Sequence, residues 1–555
     1  MSQDSFSFDG HPIGFRKGQS VAAALSEAGI RSLRQTAKGA SRGVFCGMGV
    51  CQDCLVTIDG VPNQRTCMTP STMGLSVEPQ VAFPVLEDMP SAPKHKPARI
   101  LEPDVAIIGG GAGGLSAAIA ARNAGASVVV LDERKVAGGQ YYKQSASQPP
   151  LDAQQREGAM LLERAQESGA EILGSVEIWG AFDGPLFMAD SAGAALIIRP
   201  RTAIIATGAY ERPCMVPGWT LPGVMTTGAA QTLWRSYRTL PGKRIAVCGS
   251  GPLNVQVALE LAEGGSDVAL VAEGASAPWQ HPWHALSALT ADPALVLKGL
   301  RMMRELKRRG IALRNQTTLK SIDAEGERLR ATFIMASGTE ISETVDVVCM
   351  NDGFEPQNEI LRLLGARMKY DAAFGHLRCE RDARMETSVQ HIFAVGDCAG
   401  LGGAPAARVE GAIAGRVAAA RAGFGDGYDL FSQQRSLARH RRFQANLWRM
   451  HDVSPKSPDK ESRETIVCRC EEITLGDILD GLETKPGHVG TLKRATRVGM
   501  GRCQGRYCGP VATRLVAQAT GNPVDDYSNF APRVPIKPVS IASILAAQEA
   551  LNDPD

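Results

Sequence analysis

Several things are missing from this 555-residue sequence, and each absence removes a class of function. There is no long apolar run. The longest apolar stretches are short strand-like segments or Gly/Ala-rich pieces broken by polar residues, so no membrane span is expected. Neither charge is in excess: 60 Lys and Arg face 58 Asp and Glu, a balance that argues against a nucleic-acid binder. Met1-Ser-Gln-Asp-Ser shows no basic region followed by an apolar segment, so no secretory signal is expected. No Ser–His–Asp or metal-hydrolase pattern occurs, and no catalytic residue is assigned. What remains is enough chain for roughly three to five domains, with an apolar fraction of 44%, ordinary for a globular protein.

Cysteine is present in an odd number, 13, and eight of the thiols fall into two groups of four near the ends of the chain. Without an export signal, disulfides explain them poorly. Metal or iron–sulfur ligation explains them better.

The chain is organised around Pro103 to Glu133. The apolar run Val105 to Ile108 suits a buried parallel strand. Gly109, Gly111 and Gly114 follow as G-x-G-x-x-G: a tight turn, a close approach for a pyrophosphate, and close packing of helix on strand. An Ala-rich helix runs to about Asn123, and a second strand, Val128 to Leu131, ends at Asp132 and Glu133. Asp132 stands where a carboxylate can hold a ribose hydroxyl. Strand, turn, helix, strand and acid in register specify a dinucleotide fold; a Gly-rich loop with no nucleotide is the plainer reading. Gly138-Gly139-Gln140 adds a second glycine turn past the acid. Thr202 to Gly208 reads as a strand ending in Ala206-Thr207-Gly208, and Ile392 to Gly400 as a strand followed by Gly396-Asp397 and a helix to about Ala420. An Asp at that point can bond a ribityl hydroxyl while the helix start faces the pyrophosphate. Cys398 beside it reads as a buried structural thiol.

A second copy of the motif starts at Lys243, with Gly249 and Gly251 followed by Asn254 in the third glycine position and Glu273 one place later than Asp132 in the first copy. A bulkier third residue is expected to push the helix off its strand, which leaves the nucleotide at this site open. Pro278-Trp-Gln-His281-Pro-Trp-His284 reads as a packed surface loop or as a lining for a nucleotide, flavin or partner. Arg301 to Arg309 reads as a solvated basic face.

The first cysteine set, Cys46, Cys51, Cys54 and Cys67, has the spacing C-x4-C-x2-C-x12-C, and its first three members match the plant-type ferredoxin pattern. The glycines between Cys46 and Cys51 suit a loop wrapped round a cluster, with positive φ angles and N–H groups aimed at sulfur. Zinc is the competing reading, but zinc sites usually offer two C-x2-C pairs and this stretch has one. Ser20 is expected to cap a helix from Val21, after a hairpin turning at Asp9-Gly10. Residues 84 to 99 read as a Pro-rich linker, and 421 to 465 as a charged connector with one helix. The second set, Cys468, Cys470, Cys503 and Cys508, is spaced C-x-C-x32-C-x4-C. Arg494, Arg497, Arg502 and Arg506 crowd its second pair, as counter-charges to an anionic cluster or as plain surface charge.

Taken in order, these motifs resemble the two-dinucleotide-binding flavoprotein superfamily. The stretch Arg212-Pro-Cys-Met-Val-Pro-Gly-Trp-Thr-Leu-Pro-Gly-Val-Met-Thr-Thr-Gly-Ala-Ala-Gln is more specific. It is similar to the larger, alpha subunits of heteromeric amine and opine oxidases and dehydrogenases, among them subunits of opine oxidases, hydroxyproline and proline dehydrogenases, sarcosine oxidase and hydrogen cyanide synthase. The C-terminal cysteines resemble the ligands of the bacterioferritin-associated-ferredoxin-like (BFD-like) [2Fe–2S] domain. The N-terminal set resembles a ferredoxin-like domain that some relatives carry as a separate polypeptide.

The resemblance implies an α/β chain divided as a ferredoxin-like [2Fe–2S] domain (1–95), an FAD-binding domain in two parts (100–215 and 351–425), an NAD-like domain (216–350), a connector (426–465), a BFD-like [2Fe–2S] domain (466–530) and a tail (531–555). It implies FAD on Gly109, Gly111, Gly114, Asp132, Glu133, Gly139, Gln140, Thr207, Gly208, Gly396 and Asp397. Two [2Fe–2S] clusters would sit on the eight cysteines, and NAD or ATP at Gly249, Gly251 and Glu273. It also implies a partner resembling D-amino-acid oxidase that dehydrogenates the substrate, FMN at the boundary with that partner, an external electron acceptor and a further small subunit. The location implied is cytoplasmic, with attachment to the inner membrane through the complex. No redox-active C-x-x-C lies near the flavin motif, so the remaining chemistry is electron movement. Two other readings stay open. A self-contained NAD(P)H-dependent reductase is favoured by Glu273 and opposed by Asn254; a non-catalytic assembly protein is opposed by the two complete cysteine sets.

Overall fold

Strands form where the sequence is continuously apolar, and they pair in parallel where helices can cover both faces. The computed structural model describes all residues except 1–3, 85–95, 426–428, 452–455, 486 and 553–555. Most of the linker read at 84–99 and part of the connector's Pro/Ser stretch lie outside the described residues. The chain separates into two units, each assembled from three stretches. One comprises Met1–Pro90, Glu211–Phe354 and Asn446–Phe530; the other comprises Ser91–Tyr210, Glu355–Ala445 and Ala531–Asp555.

The second of these units holds the organising motif. Its parallel sheet runs in the order Glu171–Leu173, Val128–Leu131, Val105–Ile108, Thr202–Ile205, Ile392–Ala394. All four residues of Val105–Ile108 are buried, each side chain contributing about 1.5–3 kcal/mol or less according to size. The helices Ala112–Asn123 and Gly403–Arg421 cover one face. They meet backbone to backbone: a Cβ on Gly411 would lie 2.0 Å from the carbonyl oxygen of Gly113, and one on Gly415 would lie 2.2 Å from that of Ala117. Beside this sheet, Val176–Phe182, Leu186–Ser191, Ala194–Ile198 and Arg99–Leu101 form a second one. The C-terminal stretch is built into the unit, not appended to it. Ala546 and Ala547 of the helix Ile541–Asn552 pack on Trp179, Met188, Ala195 and Ile197.

The other unit carries the second nucleotide fold and both cysteine sets. Its central sheet is parallel, in the order Val224–Thr226, Val347–Asp352, Arg244–Ser250, Asp267–Glu273, Ala312–Asn315. The helix on the glycine loop spans Pro252–Gly264. The N-terminal portion is a five-stranded sheet begun by the hairpin Ser5–Phe8 and His11–Gly14, with the helix Val21–Glu27 capped by the Ser20 hydroxyl. The C-terminal portion is helical: Leu475–Thr484, Val489–Thr496 and Gly509–Thr520. Among its described residues the connector contains one helix, Phe431–His451. Among the described residues no helix is long and apolar enough to cross a membrane.

Candidate cofactor sites

The first glycine loop is shaped by backbone contacts. A Cβ on Gly114 would lie 1.8 Å from the Gly109 carbonyl oxygen, so only glycine lets the helix Ala112–Asn123 start this close to its strand. Gly138-Gly139 folds back on the same loop: the N–H of Gly138 donates to the Gly110 carbonyl at 2.8 Å, and a Cβ on Gly139 would be 2.8 Å from the Gly111 Cα. Gly111 and Gly402, the residues before the two helices, have no side chain to cap them. The first-turn N–H groups after Gly111 are left for a ligand, the arrangement a pyrophosphate needs, whereas in the second helix Asp397 takes the Gly403 N–H and Pro405 has none. Thr207 Oγ1 donates to the Gln357 carbonyl at 2.5 Å, and the N–H of Gln357 donates back to the Gly208 carbonyl at 2.9 Å. Gln140 lies in the short helix Gly139–Tyr142. Asp397 accepts the N–H groups of Gly402 and Gly403, both at 2.9 Å. Burial pushes its carboxyl up, against those two bonds. The residues present fit FAD.

The two acids at the end of the second strand behave differently. Asp132 is buried, with Oδ2 accepting from the N–H of Gly110 at 2.6 Å and Oδ1 from that of Arg134 at 2.7 Å. Its carboxylate pins the glycine loop, while Glu133 is partly open and pairs with the Lys537 ammonium. Of the two, only Glu133 keeps its carboxylate clear of the glycine loop. Lys537 escaped the sequence reading, as did Glu410, which accepts from the N–H of Gly396 at 2.8 Å and pairs with Arg381 and Arg441, both at 2.7 Å. Cys398 is buried and directs Sγ at the carbonyls of Ile205 and Val395, each at 3.3 Å, a packing role.

The second nucleotide loop answers two expectations. A bulge between Ile245 and Ala246 absorbs the extra residue, so Glu273 stands opposite Gly249, the place Asp132 takes beside Gly109. Asn254 is accommodated by polar contacts. Its side chain is buried, accepts from Thr227 Oγ1 at 2.9 Å and donates to the Asn351 carbonyl at 3.1 Å, tying the helix to two neighbouring elements. The loop is covered by its own chain. Trp448 lies 3.8 Å from a Cβ built on Gly251. Ser250 Oγ lies within hydrogen-bond reach of both the His451 carbonyl and Glu273, and its one proton goes to one of them. Glu273 also accepts from the N–H of Gly251 at 3.0 Å and lies 3.5 Å from His451 Nδ1. Burial would raise its carboxyl; the His451 ring and these hydrogen bonds outweigh that and hold it below the usual range. Lys456 Nζ lies 2.9 Å from a Cβ built on Gly274 and 3.4 Å from Asp352. The tryptophans read as a surface loop or lining are open, Trp279 at 69% and Trp283 at 80% exposure. His281 bonds Ser276 at 2.6 Å and His284 bonds Asn446 at 3.0 Å.

The cysteine sets assemble as two quartets. Cys46, Cys51, Cys54 and Cys67 are all buried and none is in a disulfide. They divide into hydrogen-bonded pairs, Cys46 with Cys51 and Cys54 with Cys67, as two irons with two thiolates each require. Gly47 and Gly49 take positive φ, and the N–H of Cys51 points at Cys46 Sγ at 3.4 Å. Burial would push the Cys46 thiol up; the Cys51 thiol and the N–H groups of Met48, Cys51 and Val50 bring it down to about 6. In the second quartet Cys470 and Cys503 lie 3.3 Å apart and Cys468 bonds Cys508. Of the nearby arginines, Arg506 is buried against the Cys503 carbonyl at 3.1 Å, and burial lowers Arg502, which feels the charge of Cys470. Arg497 pairs with Glu471 at 2.9 Å, and exposed Arg494 turns to Thr491. Among the described residues no group of three or more His, Cys, Asp or Glu is arranged for a single metal ion. Both quartets fit a two-iron cluster.

The quartets are also stitched together. Arg469 Nε donates to Asp53 Oδ2 at 2.6 Å, and Arg34 holds Oδ1 at 2.6 Å. The Arg469 guanidinium lies 4.0 Å from the Phe45 ring centre and 4.7 Å from that of Trp219. Phe45 meets Tyr507 edge to face at 5.5 Å. Glu472 bonds Thr36 at 2.7 Å and Arg42 at 3.3 Å.

Comparison with known proteins matches this architecture piece by piece. A family model described as pyridine nucleotide-disulphide oxidoreductase matches residues 103–423, a 2Fe-2S iron-sulfur cluster binding domain matches 4–82, and a BFD-like [2Fe-2S] binding domain matches 466–518. The A subunit of opine oxidase from Rhizobium meliloti (strain 1021) is 33% identical over 69% of this chain and 84% of its own. Two hydrogen cyanide synthase subunits of Pseudomonas aeruginosa match different parts. HcnB is 32% identical over 61% of this chain and 75% of its own, and HcnA is 43% identical over 13% of this chain and 67% of its own. The crystal structure of L-proline dehydrogenase from P. horikoshii shares the fold, with a TM-score of 0.72 at 20% identity over 98% of this chain and 97% of that one. The chain belongs to the pyridine nucleotide-disulphide oxidoreductase family, in the group that includes the A subunit of opine oxidase, and is an oxidoreductase with an FAD-binding domain and two [2Fe–2S] domains.

Proposed function

We propose that this chain is the electron-transfer, cofactor-bearing subunit of a heteromeric dehydrogenase or oxidase that acts on the C–N bond of an amine, a proline-like imino acid or an opine. The observation that carries the reading is the second nucleotide loop. Trp448, His451 and Lys456 lie where a pyridine nucleotide would enter, and Glu273 is engaged by Ser250, Gly251 and His451. A nicotinamide is thereby a poor electron source, and electrons come from a partner. The named relatives support this, since they are subunits of opine oxidase and of hydrogen cyanide synthase. The segment that resembles the separate subunit HcnA is here part of the same chain. The partner proposed is a flavoprotein resembling D-amino-acid oxidase, with FMN at the shared boundary, a further small subunit in some assemblies, and an external acceptor. The place of action proposed is the cytoplasm, with the complex attached peripherally to the inner membrane.

Bound flavin takes two electrons and releases them singly, and each cluster carries one. The chain's own residues set the conditions. The uncapped start of Ala112–Asn123 would hold the pyrophosphate, with the start of Gly403–Arg421, shaped by Asp397, beside it. Glu133 would hold a ribose hydroxyl, while Asp132 keeps the glycine loop in shape. The loop from Cys46 to Cys54 aims N–H groups at sulfur, favouring thiolate.

The test is gentle affinity purification of the chain from its native cells, with mass spectrometry of what accompanies it. A flavoprotein in fixed ratio, reduced by proline, sarcosine or an opine and passing electrons on, supports the proposal. A chain that emerges alone and is bleached rapidly by NADH is a self-contained reductase instead.

A further inference from the structure

The two cysteine quartets lie more than 400 positions apart in sequence, yet the residues that touch across them include immediate neighbours of ligands. Phe45 precedes Cys46 and Tyr507 precedes Cys508, and their rings meet at 5.5 Å. Arg469 stands between Cys468 and Cys470, and Asp53 between Cys51 and Cys54; they form an ion pair at 2.6 Å. Arg469 also stacks on Phe45 at 4.0 Å and donates to the Trp219 carbonyl at 3.0 Å. None of these groups is open to water: Phe45 is 0%, Asp53 1%, Arg469 5% and Tyr507 5% exposed.

Burying an ion pair here has a cost that an apolar contact would avoid. A buried pair is therefore weak evidence for stability, and its position invites another role. In a site shielded from water a charge is felt over a longer range than in solvent. One guanidinium, held by carboxylate and rings, lies within a residue of ligands in both quartets. An electron added to either cluster is stabilised by that cation, and its arrival at one cluster is registered at the other. The aromatic contact supplies a short route from the Cys46 backbone through Phe45 and Tyr507 to Cys508.

We propose that the two iron–sulfur sites form one electrically coupled pair, joined through Phe45, Tyr507 and Arg469, so that an electron passes directly between them without returning to the flavin. The step is a one-electron exchange: one cluster is oxidised, the other is reduced, and no bond or proton moves. It rests on the electron-transfer reading above, with electrons supplied by the flavin or, in the test, by dithionite.

The experiment uses the full chain loaded with iron and sulfide. Iron and labile sulfide are measured first, then electron paramagnetic resonance spectra are recorded during stepwise reduction. The expected result is two signals that relax faster, or split, once both clusters are reduced. Arg469→Gln should lower both midpoint potentials, each reduction equilibrium shifting about tenfold, or about 59 mV for one electron. Arg469→Lys, which keeps the charge, should recover most of that shift. A purely structural arginine would leave the potentials of loaded protein where they were. If Arg469→Gln does not load, the spin interaction in the unaltered chain and in Phe45→Leu decides the matter. Failure of the unaltered chain to bind two clusters would overturn both this proposal and the electron-transfer reading. Two loaded clusters whose spectra are a plain sum, with potentials indifferent to Arg469, would overturn the coupling alone.

Discussion

Replacing Asp132 and Glu133 one at a time separates two carboxylates that adjoin in sequence but face different tasks. Asp132→Ala leaves the N–H groups of Gly110 and Arg134 without the acceptors that now lie at 2.6 and 2.7 Å. Each buried donor left unsatisfied costs about 1–3 kcal/mol, so the pair costs about 2–6 kcal/mol. For a folding unit of 150–250 residues, each kcal/mol lowers the melting temperature by roughly 2–4 °C. The expected drop is therefore about 5–20 °C in the protein stripped of flavin, where ligand binding does not contribute. Glu133→Gln should leave that melting temperature within a few degrees, because its carboxylate bonds a side chain, Lys537, and not the loop. It should instead weaken FAD binding by about ten- to a hundredfold, the loss expected for one charged hydrogen bond. Differential scanning calorimetry of the apoprotein and fluorescence titration with FAD read the two effects separately. If Asp132→Ala lost FAD affinity with an unchanged melting temperature while Glu133→Gln bound FAD normally, the assignment of roles would be wrong.

Three further outcomes follow from the same geometry. Trp448→Ala with His451→Ala uncovers the second glycine loop, and binding of NADH by calorimetry should rise at least tenfold over the unaltered chain; unchanged binding would mean these residues do not block it. Cys54→Ser should remove one cluster's optical and magnetic features and about half of the iron while the other quartet stays loaded, since each set holds its own pair of irons; loss of both would show that the sets assemble interdependently. Burial works against ionised Glu410, but Arg381 and Arg441 hold its carboxyl below the usual range. A carboxylate so depressed stabilises the fold above its unfolded value, near 4.3, and that contribution fades as pH falls through the folded value. Acid unfolding should accordingly begin below about pH 4, and in Glu410→Gln the acid limb of the stability curve should be flatter; an identical acid limb would remove Glu410 from the account.

Local spacing made much of this molecule legible. Three cysteines within a short loop, or a glycine turn between an apolar strand and an Ala-rich helix, are encoded by neighbours, and the loop geometry around Cys46 follows from the glycines written there. What escaped was long-range. Arg469 and Asp53 are 416 positions apart, and Lys537 and Glu133 are 404 apart, so no spacing rule could pair them. Asn254 shows the same limit. Its volume says that the start of the helix must make room, but not what takes up its polar atoms, which here are the Asn351 carbonyl and the Thr227 hydroxyl. Asp132 sat at the expected distance from the glycines, yet the bonds that engage it come from the main chain of Gly110 and Arg134. The covering of the second loop by Trp448 and His451 needed the end of a helix whose sequence reads only as charged connector.

The central claim is that electrons reach this chain from a partner flavoprotein and not from a pyridine nucleotide. Anaerobic stopped-flow mixing tests it most directly. The complex recovered from native cells is mixed in turn with NADH and with proline, sarcosine or an opine, while flavin absorbance is followed together with that of the clusters. The account predicts no rapid bleaching by NADH, and reduction of flavin followed by the clusters with one of the C–N substrates. Rapid reduction by NADH in the chain alone, with no response to any amine in its company, would contradict it.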